Sequence, residues 1–275
     1  MIKSIGHVSI KKVADNRVRD AEDELAVEEP LEIRLGYVDN GKRIVKNISV
    51  TMRTPGADEE LAAGFMYTEG IISNHSQIIS VDIDQLEENI VMVSMVDSAV
   101  PVLQKTERNF YTTSSCGVCG KSSIDAIRTV SVHQQTPDNI VLNATVFYGL
   151  QEQLRKQQLI FETTGGLHAA ALFDLHGNFI NLREDVGRHN ALDKLIGRAL
   201  LDDDLPLNNC ILLLSGRASF ELVQKAVMAG VKVIAAVGAP SSLAVQLAEE
   251  AGITLLGFLR NNRFNIYTCW QRVII

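Results

Sequence analysis

The 275-residue sequence is short of several things, and each shortage removes a class of protein. It carries four cysteines, too few for the disulfide framework of a small secreted scaffold. A reducing compartment is expected, where a Cys-x-x-Cys pair serves metal, redox or sulfur chemistry. It has no excess of base. Lys and Arg number 26 against 33 Asp and Glu, for a net charge of -7. No nucleic-acid partner is expected, because a phosphate backbone is bound by clustered cations; one local basic pocket stays compatible with that balance. It has no long apolar run. The most apolar stretch, 231–247, is broken by Lys232, Gly238, Pro240, Ser241, Ser242 and Gln246 and does not cross a bilayer. The opening residues, Met1 to His7, hold no signal-type apolar region, so a cytoplasmic chain is expected. Repeats and low-complexity tracts are missing too. What is present is a hydrophobic fraction of 46%, enough to bury a sizeable core in one domain or two.

Hydrophobic patterning divides the chain into three parts. Residues 1–25 are polar and irregular and read as a tail or edge strand. Residues 26–135 read as a β-rich N-terminal domain. There Leu31, Ile33 and Leu35 alternate with charged residues, Asp39-Asn40-Gly41 supplies a turn, and Ile44, Val45, Ile48 and Val50 return. Asp58 is placed to cap a helix over 59–68, and strands are expected near 78–83 and 90–95. This part ends in a small, polar loop, 108–123, holding Cys116-Gly-Val-Cys119, with a short helix expected over 124–130. Residues 136–275 read as an α/β domain. A helix is expected over 144–158, and two strands meet at His176-Gly177-Asn178. A helix over 190–201 follows, then apolar strands near 210–214, 231–237 and 253–259 alternate with helices. That order predicts a parallel sheet with right-handed crossovers.

Five segments have the residue types to carry chemistry. In the Cys116/Cys119 loop, Gly117 and Gly120 give mobility, and Lys121 and the amides opening the next helix favour a thiolate. Such a pair is open to a metal half-site, to redox or sulfur chemistry, or to a structural role. No metal site is assigned, since Cys210 and Cys269 have no partner at ligand spacing. His168, after Gly165-Gly166, is a candidate ligand or base, or a hydrogen-bonded half-buried histidine. A zinc deaminase would need His-x-Glu with a later Pro-Cys-x-x-Cys; the triplet here is His168-Ala169-Ala170 and the cysteines lie upstream. The segment 183–194, which includes Arg188 and His189, reads either as a functional loop on a rigid scaffold or as a solvated loop with local ion pairs. Ser215-Gly-Arg217-Ala-Ser219 leaves a strand and opens a helix, a ready anion site. Arg260-Asn261-Asn262-Arg263 follows the third parallel strand. Ligands gather beyond the carboxyl ends of such strands, so Arg217, Arg260 and Arg263 are expected to converge there on a nucleotide diphosphate. Helix capping and surface charge are the alternative for these two.

In order along the chain, several motifs resemble one family. They are Glu28-Glu29-Pro30, Asp58-x-x-Leu61-Ala62-x-Gly64-Phe65-x-x-Thr68-Glu69-Gly70, Cys116-Gly-Val-Cys119-Gly120, Gly166-x-His168-Ala169-Ala170, Glu184-Asp185-Val-Gly-Arg188-His189-Asn190-Ala-x-Asp193-Lys194, Ser215-x-Arg217-x-Ser219 and Gly257-Phe258-x-Arg260-x-x-Arg263. Over residues 25–272 the chain is similar to the FdhD family of formate dehydrogenase accessory sulfurtransferases. The resemblance implies a sulfurtransferase, a sulfur carrier that accepts sulfur from a cysteine desulfurase. It would pass the sulfur to the bis-molybdopterin guanine dinucleotide molybdenum cofactor needed by formate dehydrogenase. It places the persulfide on Cys116, with Cys119 assisting, and the cofactor on Phe258–Arg263, with GDP as a mimic of one end. Where many members have Gly in the middle of that stretch, this chain has Asn261 and Asn262, and Asn is expected to supply the left-handed turn. The implied fold is a cytidine-deaminase-like three-layer αβα core with a β-rich N-terminal part, assembled as a homodimer. The alternatives are a non-catalytic molybdenum-cofactor-binding chaperone and a zinc-binding protein.

Overall fold

The structure, a computed structural model, is described over residues 4–84, 86–103 and 138–275. The Cys116/Cys119 loop and the expected helix over 124–130 lie outside the described residues.

Residues 5–26 depart from the expected tail or edge strand. Strands β1 (Ile5–Ala14) and β2 (Arg17–Ala26) pair antiparallel as a separate hairpin. Asp15 and Asn16 turn it with φ of 49° and 60°, the left-handed pair that a two-residue hairpin turn requires. Strands β3 (Glu29–Asp39) and β4 (Lys42–Arg53) form the expected hairpin, with Asn40 and Gly41 both at positive φ. Helix α1 (Asp58–Thr68) follows, then β5 (Ile78–Ile83) and β6 (Ile90–Met95), completing a four-stranded sheet of order β4-β3-β6-β5. Asp58 does not cap α1. Ala57 takes the cap position, and Asp58 is buried against Arg53, with both carboxylate oxygens bonded to the guanidinium at 3.0 and 2.9 Å.

The second half begins with β7 (Leu142–Asn143). The expected helix over 144–158 is a 3-10 turn, Ala144–Phe147, then Gly149 at φ 83°, then α2 (Leu150–Gln157). After α3 (Leu159–Thr164) come β8 (His168–Asp174), β9 (Phe179–Asp185) and α4 (Arg188–Leu201). Next are β10 (Cys210–Leu214), α5 (Phe220–Met228), β11 (Val233–Ala236), α6 (Ser242–Glu250) and β12 (Thr254–Arg260). The chain closes with β13 (Arg263–Ile266) and β14 (Val273–Ile274), the latter paired to β7. The main sheet runs β13-β12-β11-β10-β8-β9, with β10, β11 and β12 parallel.

Period-two patterning makes this sheet the middle of three layers. Ala170, Leu172, Leu212, Leu214, Ile234 and Leu255 point to one side, into a core shared with α1, α4, α5, α6 and the N-terminal sheet. Their neighbours Ala169, Ala171, Phe173, Ile211, Leu213 and Leu256 point to the other, against Phe147, Leu150 and Leu154. The molecule is thus mixed α/β, with a parallel-stranded core and a β-rich N-terminal part that share one hydrophobic cluster.

The two parts meet where α1 crosses α4, and glycine makes the crossing possible. A Cβ on Gly64 would lie 1.9 Å from the Asp193 carbonyl oxygen, and one on Gly197 would lie 1.8 Å from that of Glu60. Buried ion pairs flank the contact. Lys225 Nζ reaches Asp193 Oδ2 at 2.9 Å, and Thr68 Oγ1 donates to Asp193 Oδ1 at 2.8 Å. Lys194 Nζ pairs with Asp185 at 2.7 Å and donates to the Thr54 carbonyl at 2.7 Å.

Candidate functional site

The carboxyl ends of β10, β11 and β12 form one continuous edge. Backbone hydrogen bonds lace the three loops together. Gly238 N donates to Gly216 O at 2.8 Å, Phe258 N to Gly238 O at 3.1 Å, and Ala218 N to Ala239 O at 3.2 Å. Gly238 has no room for a side chain, since its Cβ would meet Arg217 N and Gly216 O at 2.9 Å. Because β8 runs antiparallel to β10, His168 at its start joins the same edge. Ser215 ties the two strands, its N donating to Ala169 O at 3.0 Å and its Oγ accepting from Ala169 N at 2.8 Å.

Arg217, Arg260 and Arg263 all lie along this edge and all are exposed. Arg260 is held: its Nη1 donates to the carbonyls of Val237 and Leu259, each at 2.8 Å. The stretch 258–263 is built differently from expectation. Asn261 and Asn262 turn β12 into β13 without positive φ; the left-handed residue is Phe258, at φ 54°. The pairing of β12 and β13 shifts register between Gly257 and Arg260. This bulge leaves the Phe258 ring exposed while Leu259 stays buried. A non-glycine residue held there stores backbone strain, as at many ligand clamps. Ser219 starts α5 without a side-chain cap. Its Oγ and Arg188 Nε are shielded from solvent and make no hydrogen bond among the described residues.

The segment 183–194 divides by burial, and much of it is neither a solvated loop nor part of the edge. Asp185, Asn190, Asp193 and Lys194 are buried and fasten the N-terminal sheet and α1 to α4. Arg183 forks onto Glu60 at 2.5 and 2.7 Å. Glu184 accepts from the opening amides of α3, Ile160 N at 3.3 Å and Phe161 N at 3.1 Å, and burial raises its carboxyl above the usual range. Arg188 and His189 open α4 beside His168. His189 Nε2 lies 2.8 Å from Glu221 Oε2, a partner with no signal in the sequence. Burial lowers the His168 imidazole below its ordinary value; Arg188 and His189 push the same way and Asp185 opposes them. Near neutral pH His168 is therefore an uncharged imidazole, able to donate one hydrogen bond and accept another.

Between the β8/β10 end of this edge and helices α2 and α3 lies a cavity of about 330 Å³. It is lined by His168, Ser215 and Val237 from the sheet side and by Gln151, Arg155 and Phe161 from α2 and α3. The helical residues were missed from sequence because α2 reads as an ordinary amphipathic surface helix. The catalytic candidates Cys116 and Cys119 lie outside the described residues. The other two cysteines, Cys210 and Cys269, are half-buried and free, and burial pushes the Cys210 thiol up.

Fold and edge together define an α/β protein with exposed arginines along the carboxyl ends of its parallel strands, fastened to an N-terminal β layer. The chain belongs to the FdhD/NarQ family, which matches residues 26–274. It is 51% identical over 257 residues to the sulfur carrier protein FdhD of Mycolicibacterium paratuberculosis, covering 90% of this chain and 91% of the relative. It is 48% identical to that of Streptomyces avermitilis (96% and 94% covered) and 42% identical to that of Sulfurisphaera tokodaii (98% and 99%). A crystal structure from Desulfotalea psychrophila, provisionally assigned as a formate dehydrogenase accessory protein, shares the fold. Its TM-score is 0.70 at 21% identity, with 99% of this chain and 100% of that one covered.

Proposed function

We propose that this chain is a sulfur carrier serving formate dehydrogenase. It takes sulfur from a cysteine desulfurase as a persulfide on Cys116 and gives it to the bis-molybdopterin guanine dinucleotide molybdenum cofactor. The observation that carries this reading is the relation, over nearly the whole chain, to proteins named as sulfur carriers. The strand-end edge supports it, because the exposed Arg217, Arg260 and Arg263 suit a phosphate-rich ligand. Among the described residues no helix is long and apolar enough to cross a membrane. A cytoplasmic homodimer completes the proposal.

The chemistry balances with two thiols. The Cys116 thiolate takes the terminal sulfur from the desulfurase's persulfide, one S–S bond forming as another breaks, and the desulfurase thiolate leaves. In delivery the Cys119 thiolate attacks Cys116 Sγ, and the terminal sulfur leaves as sulfide toward the metal. The cysteine pair supplies the two electrons and becomes a disulfide, which an external thiol reductant reopens. Incubation with a desulfurase and cysteine, followed by intact-mass measurement, tests the carrier step. One added sulfur is expected on wild type and none at that site in Cys116→Ala; no gain on wild type, or equal gain on both, overturns it.

A further inference from the structure

Strands β1 and β2 form an arm. Ten residues in each, at about 3.4 Å per residue, give it a length of about 30 Å. Its root is fastened to the body. Val27 N donates to Ser4 O at 2.9 Å, Ser4 Oγ donates to Pro55 O at 2.9 Å, and Ala26 lies beside Gly166. Along the arm no residue of either strand is buried. A two-stranded hairpin is marginal in water by itself, so pairs that weaken it further are informative.

The tip holds such pairs. Its register places Lys12 directly across from Arg19, with Arg17 two residues further out on the same face. Like charges directly opposite each other destabilise a ladder. The other face carries Val13 against Val18, which are 67% and 65% exposed. Residues 11–19 hold four cations and one acid, a local charge of +3 on a chain whose net charge is -7. Repulsion on one face and apolar exposure on the other are both relieved when a protein surface covers the tip. An apolar centre with a charged rim is the anatomy of such a contact, and the sign of this rim selects an acidic partner. The root of the arm adjoins α3, whose Phe161 lines the cavity beside the strand-end edge. A protein that collects the proposed cofactor has to come to that edge, whereas a desulfurase has to reach only Cys116.

We infer that the tip of the β1–β2 arm is a docking element for formate dehydrogenase. It enters an acidic cleft of that enzyme, with Val13 and Val18 against an apolar wall and Lys12, Arg17 and Arg19 against carboxylates. The inference rests on the proposed sulfur-carrier role and assigns the surface by which the carrier meets its acceptor. Biolayer interferometry of the full chain with purified, cofactor-free formate dehydrogenase tests it, comparing wild type with Arg17→Glu and Val18→Ser. Lys42→Glu is the control, since it makes the same change of charge at the exposed start of β4. In parallel, intact mass reads the loading of Cys116 by a desulfurase, and light scattering reads subunit number. Arg17→Glu and Val18→Ser are each expected to weaken binding by about tenfold, the first with a shallower salt dependence, while Lys42→Glu matches wild type. Loading and subunit number stay at wild-type values. Equal binding by wild type and both tip variants, or no binding by wild type, refutes the docking element, and undiminished loading then leaves the carrier role standing. Tip variants that lose loading assign the arm to the desulfurase, and tip variants that change subunit number assign it to a contact between copies; either result overturns the inference. No loading on wild type overturns the carrier role and the inference with it.

Discussion

Gly64→Ala sets two forces of opposite sign against each other. In an isolated helix the change is favourable, because alanine is better than glycine by about 1 kcal/mol. At this crossing the new methyl would sit 1.9 Å from the Asp193 carbonyl oxygen, which is backbone and cannot rotate aside. Ordinary contact begins at 3.4 Å, so α1 and α4 must separate by about 1.5 Å. Overpacking of this kind costs about 1–3 kcal/mol, and a backbone-on-backbone clash belongs at the upper end. Separation also pulls Asp193 on α4 from Thr68 on α1, which donates to it at 2.8 Å. The net expectation is a loss of about 2 kcal/mol or more. For a chain of this size that lowers the melting temperature by roughly 4–8 °C. Thermal unfolding followed by circular dichroism reads the shift, and Gly36→Ala serves as control because its nearest neighbours lie at 3.6 Å. A Gly64→Ala protein that melts at or above the wild-type temperature would show that propensity wins and that the helix contact is looser than described.

Two further outcomes are expected. Lys194→Met leaves the fully buried Asp185 carboxylate without its cation, which costs about 3–5 kcal/mol, and adding Asp185→Asn should restore part of that in a urea-denaturation cycle; additive losses would remove the pair from the account. The His168 imidazole is lowered in the folded state, so the unfolded chain takes up its proton first as pH falls. Its share of stability is complete above the ordinary histidine range and declines as pH drops below it. His168→Gln should therefore flatten the stability profile between pH 7 and 5, and an unchanged slope would count against that assignment.

Much of the fold was legible because it obeys local rules. Asn40-Gly41 announced the β3–β4 turn, and the continuous apolar runs of β10, β11 and β12 marked a buried parallel sheet. The β1–β2 hairpin was not legible, although Asp15-Asn16 is a fair turn signal. Both its faces are largely exposed, so no alternation of apolar and polar residues marks it. Asp58 illustrates a second limit. A capping aspartate and a buried ion-pair aspartate look alike until Arg53 is known to face it. The candidate site was partly visible. The strand-end residues Ser215, Arg217, Arg260 and Arg263 followed from strand order. The split of 183–194 did not, because the partners of Asp185, Asp193 and Lys194 are Thr54, Thr68 and Lys225, all far along the chain. Gln151 and Arg155 carried no signal, since side chains on a solvent-facing helix gain meaning only from what stands across from them.

The clasp between Arg260 and two carbonyls bears on how tightly this protein would grip the phosphate ligand proposed for it. A free arginine has about 2 kcal/mol of rotamer entropy to lose when it closes on a phosphate. Here the guanidinium is already immobilised by Val237 and Leu259 through one nitrogen, so that loss is incurred during folding. If the proposed phosphate binds at this edge, it meets a guanidinium that does not have to be ordered first.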